Sequence, residues 1–588
     1  MNRLSSCLRF VKSSVQCLRS LRGRRALPAI LLFSVVAGLA LGCGPRQPPK
    51  LPVPTVQPLT VPMPAAPPQS EAPLFGYVKL RDLSRAIGLF GGEAVLGPLA
   101  QAQGVNLSEI SAGKPLSLYV WDPDRVDSPF ALPIVGLFPI PAEGTISSRL
   151  TSMNSSLKAE SWGELTAIGM NPRALDQARG QKDALLGITA ADTPFDALLY
   201  LHIDAMMAKY APVLRQGIRA MMPMLALSTV RQPGAPSAAS TVAMLEGLVS
   251  SLESVRAVAV GARPYDGGVE LSALVQDKAA RAGEGGPLAA PNLAQFLPPG
   301  DVNVVWNSRD LQRLVDFYMR LYGPMLDEQP QLRTVIQGLV DEWMKIGRKS
   351  EMAFSFSVGG ERAFRMHGIV RVDNPAAFMA LGRKTATMFG QGPLHDAYKR
   401  LGIELQINGK QGARKLQGWP IDHYDYKIAT GTPGQGPGQA VNGQLFAKLN
   451  GASYEVAQVG PYILYAMNAP IDPVVTALFK GQSAGTSTGA SAMAAFPPGG
   501  TMYADVNVSS LLKGITSLLP PEAASRLPSL PPEAGSLSFF GYDAGQVSYY
   551  KARIPMTLIL AIKTASDKLR EPGGALGGPY VRPGAPPP

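Results

Sequence analysis

The chain is poor in cysteine: among 588 residues there are only Cys7, Cys17 and Cys43. Because no cysteine follows position 43, the rest of the chain cannot form a disulfide, supply a thiol nucleophile or bind a metal through sulfur. A protein of this length that lacks disulfides has to be stabilised by core packing, which its length permits.

Histidine is almost as scarce, with one residue each at His202, His367, His395 and His423. No two of them lie four residues apart on a predicted helix, so the paired histidines of zinc peptidases are missing. No glycine-rich phosphate loop follows a predicted strand either. The sequence therefore predicts no metal and no cofactor, and it favours a non-catalytic protein.

Acidic residues are absent from the N-terminal region, and this distorts the net charge. The total is +12, but the first 43 residues contain seven basic residues and no acidic one. The remainder holds 48 basic and 43 acidic residues, without a Lys/Arg-rich block that contains interleaved aromatics. Nucleic acid is therefore not an expected partner.

The basic N-terminal segment is followed by an apolar run from Ala26 to Leu41. This run is shorter than the roughly 20 residues that a helix needs to span a bilayer, and Pro28 interrupts it. A basic segment, a short apolar core and small residues at its end are typical of a secretory signal. We interpret residues 1–43 as a signal peptide.

The end of the apolar run, Ala40-Leu41-Gly42-Cys43, resembles the lipobox of bacterial lipoproteins. The family usually has leucine where Ala40 stands. The resemblance implies that Cys43 is lipid-modified and becomes the new N-terminus. An exported protein would then be anchored to the bilayer, at the outer membrane or the periplasmic face. The alternative is an ordinary signal cleaved after Gly42, which leaves Cys43 as a free thiol.

Residues 44–73 contain 11 prolines in 30 positions. This composition favours extended polyproline II, so we interpret the segment as a linker that could reach roughly 90 Å. A proline-rich stretch can also be a ligand of peptide-binding domains. Residues 571–588 are rich in glycine and proline, and we expect a disordered tail.

A strand that runs directly into a helix occurs four times in the body, at residues 74–83, 196–206, 300–311 and 500–512. Polar residues lie where each helix would begin, at Asp82, Asp204, Ser308 and Ser509. Alternating segments with central turns predict a β-hairpin after each unit, at residues 115–138, 254–276, 350–372 and 535–554.

The first and third units have an additional hairpin and helix, so the order is long, short, long, short. We predict a duplication, with half one at residues 74–295 and half two at 296–570. Strand–helix–hairpin order predicts an α+β fold of antiparallel sheets with helices packed on one face. The layout resembles uncharacterised exported bacterial proteins built from such repeats, and this resemblance implies no activity.

The densest polar group of the body contains Asp422, His423 and Asp425. In an extended strand, Asp422 faces one side while His423 and Asp425 face the other. A carboxylate beside an imidazole can orient a general base. The alternative is a solvated strand face, which is the commoner use of such residues.

Methionines cluster between residues 204 and 227, including Met206, Met207, Met221 and Met222. Methionine is flexible and polarizable, so it accommodates varied apolar partners. These residues are candidates for an apolar-ligand site, and the alternative is an ordinary packed core.

Together these features predict a non-catalytic, membrane-anchored envelope lipoprotein that binds a protein or an apolar ligand. One alternative is an envelope enzyme, a hydrolase that uses carboxylates because thiols are excluded. The other alternative is a lipid carrier that uses the methionine-rich helix.

Overall fold

The computed structural model describes most of the chain between Leu51 and Arg570. The described residues are 51, 55–57, 59, 63–66, 74–82, 111, 113–122, 133–153, 156–169, 172–229, 237–279, 291–308, 312–347, 350–360, 362–400, 403–430, 451–481, 493, 496–519, 524 and 529–570. The predicted signal peptide with Cys43, and the tail at 571–588, lie outside them.

The described residues form eighteen strands. In chain order they are Leu74–Leu80 (β1), Leu116–Trp121 (β2), Ile134–Phe138 (β3), Lys158–Trp162 (β4), Leu165–Gly169 (β5), Ala197–Leu201 (β6), Val255–Tyr265 (β7), Gly268–Asp277 (β8), Val302–Ser308 (β9), Ser350–Val358 (β10), Phe364–Val372 (β11), Ile403–Leu416 (β12), Trp419–Thr430 (β13), Ala452–Val459 (β14), Tyr462–Met467 (β15), Met502–Asn507 (β16), Ser536–Ala544 (β17) and Val547–Pro555 (β18).

All of these strands belong to one sheet, and every pairing within the described residues is antiparallel. From edge to edge the order is β4-β5-β3-β2-β1-β6-β7-β8-β18-β17-β16-β9-β10-β11-β15-β14-β13-β12. Strands occupy all four predicted hairpin ranges. At three hairpin turns a glycine has positive φ, as at Gly267, Gly359 and Gly545, which such tight turns favour.

Helices occupy many of the described connections between the hairpins. They are Thr145–Met153 (α1), Pro172–Arg179 (α2), Lys182–Ala190 (α3), Ile203–Ala220 (α4), Met222–Thr229 (α5), Ala238–Glu253 (α6), Gln312–Asp327 (α7), Pro330–Ile346 (α8), Pro375–Gly390 (α9), Pro393–Arg400 (α10), Asp472–Lys480 (α11), Val508–Leu518 (α12) and Met556–Arg570 (α13). The α+β class is confirmed, with one large antiparallel sheet.

Helices pack on both faces of the sheet, so the expectation of helices on one face is wrong. Adjacent residues of β15 show this: Leu464 lies in the main core with α2, α3 and α11, whereas Ile463 lies in a second cluster with α9. Neighbouring side chains of a strand point to opposite faces. Every residue of β15 is buried, so both faces of this strand are covered.

Two of the predicted helix starts are displaced by one or two residues. Helix α4 begins at Ile203, before Asp204. Helix α12 begins at Val508, and the side chain of Asn507 caps it by accepting a hydrogen bond from the Ser510 N–H at 2.9 Å. Asparagine satisfies a free N–H group there as well as serine does.

Residues 74–295 and residues 296–570 are in contact both in the sheet and among the helices. In the sheet, β8 pairs with β18, and we call this pairing the seam. Among the helices, α6 packs on α7 so closely that a Cβ on Gly247 would lie 3.0 Å from the Arg320 carbonyl oxygen. Glu328 also accepts hydrogen bonds from the hydroxyls of Ser237 and Ser240 at the start of α6.

Part of the proline-rich segment lies on the folded body. Leu51, Leu59 and Met63 pack against the main core. The Leu59 N–H donates to the Tyr542 hydroxyl at 3.1 Å, and the Tyr77 hydroxyl donates to the Ala65 carbonyl at 3.0 Å. This part of the segment therefore does not extend away from the body.

Candidate functional site

The predicted polar cluster is divided by strand β13. Asp422 is fully buried, and its Oδ1 accepts a hydrogen bond from the Gly412 N–H at 2.7 Å. His423 and Asp425 lie on the opposite face, with His423 Nε2 at 3.3 Å from Asp425 Oδ1. The structure brings these two residues together and separates Asp422 from both.

Burial also changes the acidity of Asp422. It raises the pKa of this carboxyl above its usual value, although the Gly412 N–H and the charge of Arg383 act in the opposite direction. Because the carboxyl has no exposed surface, it cannot reach a substrate dissolved in water. Asp422 therefore fits a structural role.

On the other face, His423 adjoins an ion-pair network that the sequence did not reveal. Its Nδ1 lies 3.8 Å from Glu455 Oε1. Arg414 binds Glu455 with two donors, at 3.0 and 2.8 Å, and it also pairs with Asp472. The Ile471 N–H donates to Glu455 as well, at 3.0 Å. These residues come from β12, β13, β14 and the start of α11, so no linear motif connects them.

This network leaves little capacity for catalysis. Hydrogen bonds from Arg414 hold the pKa of Asp472 below its usual value, and the same arginine occupies both oxygens of Glu455. A carboxylate saturated with donors is a weak base and a poor metal ligand. Among the described residues, no group of three or more histidine, cysteine, aspartate or glutamate side chains is placed to hold a metal ion.

The other three histidines serve the fold. His202 precedes α4, while His367 Nε2 lies 3.2 Å from the Pro470 carbonyl and His395 Nδ1 lies 3.1 Å from the Phe389 carbonyl. Burial lowers the pKa of both His202 and His367 below the usual value. Burial thus favours the neutral form of these two rings.

The methionine candidates do not form one site. Met207 is buried between α4 and α6, where it packs with Ala211 and Val249, and Met206 is half-buried. Met221 and Met222 are exposed where α4 gives way to α5. Met207 thus belongs to helix packing, whereas Met221 and Met222 are accessible to a partner.

The central strands have two unlike faces, which the sequence did not indicate. One face, the core face, presents Tyr77, Tyr200, Leu274 and Tyr549, which are buried in the main core. The opposite face, which we call the open face, presents large apolar side chains to solvent. Their exposed fractions are 37% for Leu199, 39% for Val260, 37% for Leu271 and 45% for Tyr550.

The exposed residues of the open face are neighbours. Leu199 pairs with Val260, Val260 with Ala273, and Ala273 with Tyr550, so a continuous row crosses β6, β7, β8 and β18. At a strand spacing of about 4.8 Å, four strands make a row roughly 14 Å long. The row continues in the same register through the half-buried Met502, Trp306 and Met352.

The helices nearest to the open face leave it accessible. Helices α4 and α6 contact β7, whereas α7 contacts mainly α6 and α8, and α8 contacts mainly α7, α9 and α10. The apolar residues along one side of α8 are only half-buried: Leu332, Val335, Ile336, Leu339 and Trp343. The described helices and the open face thus both retain accessible apolar surface.

At the seam, the distribution of polar and apolar side chains between the two faces is the reverse of that in an ordinary sheet with one solvated face. In β8, Glu270 and Ser272 point to the core face and are 1% and 2% exposed, while Leu271 between them points to the open face. Sheets with one solvated face usually bury the apolar side chains and expose the polar ones.

Three cations make the burial of Glu270 possible. Its carboxylate lies 2.7 Å from Arg263 Nε, 3.1 Å from Lys551 Nζ and 3.0 Å from Arg553 Nε. Burial pushes the pKa of Glu270 upward, but the attraction of these cations outweighs it and leaves that pKa below its usual value. Lys551 and Arg553 lie far from Glu270 in sequence, so the cluster exists only because β8 pairs with β18.

Comparisons of the chain with family models, with curated proteins and with solved structures found no match. Among the described residues, no helix is both long and apolar enough to cross a bilayer.

Proposed function

We propose that this protein is an exported, lipid-anchored envelope protein whose body binds an apolar ligand on the open face of the sheet. The observation that carries the proposal is the row of exposed apolar side chains at Leu199, Val260 and Tyr550. Contiguous exposed apolar surface costs solubility, and it marks binding sites in soluble domains.

The shape of this surface favours a lipid chain as the ligand. The row is narrow and crosses the strands, and it has no charged side chain between Leu199 and Tyr550. Ligand pockets are lined mainly by such side chains and often lie between packed layers. Each Å² of apolar surface removed from water contributes roughly 25 cal/mol, so a fatty-acyl chain along this row would bind without a polar contact.

Binding is tested with a fatty acid that has an environment-sensitive fluorophore. The wild-type chain should bind it saturably, and Val260→Glu should weaken binding at least tenfold, because the ligand would have to bury the new charge. Val260→Leu, which keeps the surface apolar, should bind as the wild type does. Unchanged binding by Val260→Glu would exclude the open face.

Met224→Glu separates the open face from the methionine-rich helices. Met224 is exposed on α5, and a charge there should leave fatty-acid binding unchanged. If this variant loses binding while Val260→Glu retains it, the ligand lies on the methionines. If the wild type itself binds no fatty acid, a protein partner becomes the better explanation.

The proposed anchor at Cys43 is supported by the lipobox-like leader. Labelled fatty acid should enter the wild-type protein in cells and should not enter Cys43→Ser. Equal labelling of both, or of neither, would overturn the anchor while leaving the open-face proposal intact.

We also propose that the two halves arose by duplication, as the strand orders support. From the outer edge of the sheet to the seam, the strand order in residues 74–295 is β4-β5-β3-β2-β1-β6-β7-β8. In residues 296–570 the corresponding order is β14-β15-β11-β10-β9-β16-β17-β18. The hairpin β12–β13 is an addition to half two, at its outer edge. Equivalent turns also agree, since Gly163 and Gly460 both have positive φ, 69° and 59°.

Under this equivalence the seam joins corresponding strands, and its central pair is Ser272 with Lys551. A crystal structure tests the duplication by superposition of the halves. Tyr77 and Val302 should then lie in equivalent strands, and a fit that places β1 on any strand other than β9 would contradict it.

A further inference from the structure

The proline-rich segment makes specific contacts with the core face of both halves. Residues 51–66 have five prolines and no charged residue. Their described part lies outside helices and strands. Leu51, Leu59 and Met63 contact the main core, while Leu59 and Ala65 make the hydrogen bonds with Tyr542 and Tyr77.

These two hydrogen bonds lie far apart on the sheet. Tyr542 is on β17 and Tyr77 is on β1, five strand positions apart, which corresponds to about 24 Å. Six residue steps separate Leu59 from Ala65, and six steps cover about 20 Å in an extended chain, which leaves the rest of the span to the tyrosine side chains. A helix of that length would cover only about 9 Å.

We propose that the core face carries a binding site for extended, proline-rich peptides, and that the described residues between Leu51 and Ala66 of the same chain occupy it. The chemistry is that of polyproline recognition. An extended proline-rich chain has no internal hydrogen bonds, so its backbone groups are free to pair with tyrosine hydroxyls while its apolar side chains enter an aromatic surface.

Occupation of this site determines how far the body stands from its attachment point. With residues 51–66 bound, only residues 44–50 remain as a tether, which is about 22 Å in the polyproline conformation. A released segment would reach roughly 90 Å. This consequence rests on the proposed anchor at Cys43, whereas the peptide site itself does not.

Hydrogen exchange followed by mass spectrometry tests the site in the full chain. The Leu59 amide should exchange slowly in the wild type. Tyr542→Phe removes its acceptor without changing the ring, so exchange at Leu59 should rise about three- to tenfold. Tyr550→Phe is the matched control, because Tyr550 lies on the open face, and it should have no effect. Unchanged exchange in β17 and β18 would show that the variant is folded.

Competition then distinguishes a peptide site from a fixed part of the fold. A synthetic peptide of residues 51–66, added in excess, should accelerate exchange of the same segment in the chain. A peptide with Leu59→Ser and Met63→Ser should not. If the wild-type segment exchanges as an unfolded chain does, or if no concentration of peptide displaces it, the proposal is wrong.

Discussion

The two faces of the seam differ in what they bury: one face buries a charged side chain, and the other exposes apolar side chains. On the core face, Glu270 is buried with Arg263, Lys551 and Arg553 around it. On the open face, one residue further along β8, Leu271 is exposed. Burial of charge and exposure of apolar surface both cost stability. The ion cluster offsets the first cost, whereas the second remains at the surface that we propose as the binding site.

The strongest test of this contrast is Glu270→Gln. It leaves three cations around a neutral amide on the core face. Loss of one partner from a fully buried pair costs about 3–5 kcal/mol, and the expected loss is smaller here because Arg263 and Arg553 are partly exposed. Urea denaturation measures the effect. Leu271→Gln is the matched control, since it changes the adjacent residue on the open face and should cost less than about 1 kcal/mol. Equal losses would show that the two faces do not differ.

The same cluster predicts a dependence on pH. The folded pKa of Glu270 lies below its usual value, and the unfolded value is about 4.3. Its contribution to stability is therefore present above about pH 4.3 and is lost as the pH falls through the folded pKa. Between pH 6 and pH 2 the melting temperature of the wild type should fall further than that of Glu270→Gln. Parallel curves would remove Glu270 from the explanation.

A smaller effect is expected at Asp422, a buried carboxyl whose pKa is shifted in the opposite direction to that of Glu270. Because burial raises its pKa, ionisation opposes folding as the pH rises through the folded value. Asp422→Asn keeps an acceptor for the Gly412 N–H, so relative to the wild type it should gain stability at pH 7 compared with pH 3. A large loss at pH 7 would mean that the ionised carboxylate has a role.

The smallest effect is expected at His423, which is partly exposed beside Asp425. His423→Ala should change the free energy of unfolding within about half a kcal/mol, and it should complement a deletion strain. A general acid or base would instead contribute about 10²–10⁴ in rate. Failure of a stably folded His423→Ala protein to complement would support the enzyme hypothesis.

The hairpins could be predicted because their signals are local. Alternating side chains and turn glycines such as Gly267, Gly359 and Gly545 lie within a few residues of the strands they join. The partners of each hairpin could not be predicted, since alternation specifies the face of a side chain and not the neighbouring strand. The pairing of β8 with β18 therefore could not be predicted from the sequence.

The candidate site shows the same limit. Alternation correctly placed Asp422 opposite His423 and Asp425, but it did not reveal Glu455 or Arg414, which adjoin His423 through other strands. The open face was missed for a related reason. Leu271 and Val260 resemble core residues in the sequence, and only the placement of the helices shows that they are accessible.

The seam also has a consequence for the order of folding. Strand β8 is complete at Asp277, but its second neighbour, β18, ends only at Pro555. Until that late segment arrives, β8 presents a row of unpaired N–H and C=O groups beside an apolar surface, and such an edge pairs readily with other chains. Contacts between distant segments form slowly. The interval before the seam closes is therefore the period in which this protein is most prone to aggregate, and dilution or a chaperone that covers β8 should improve its refolding yield.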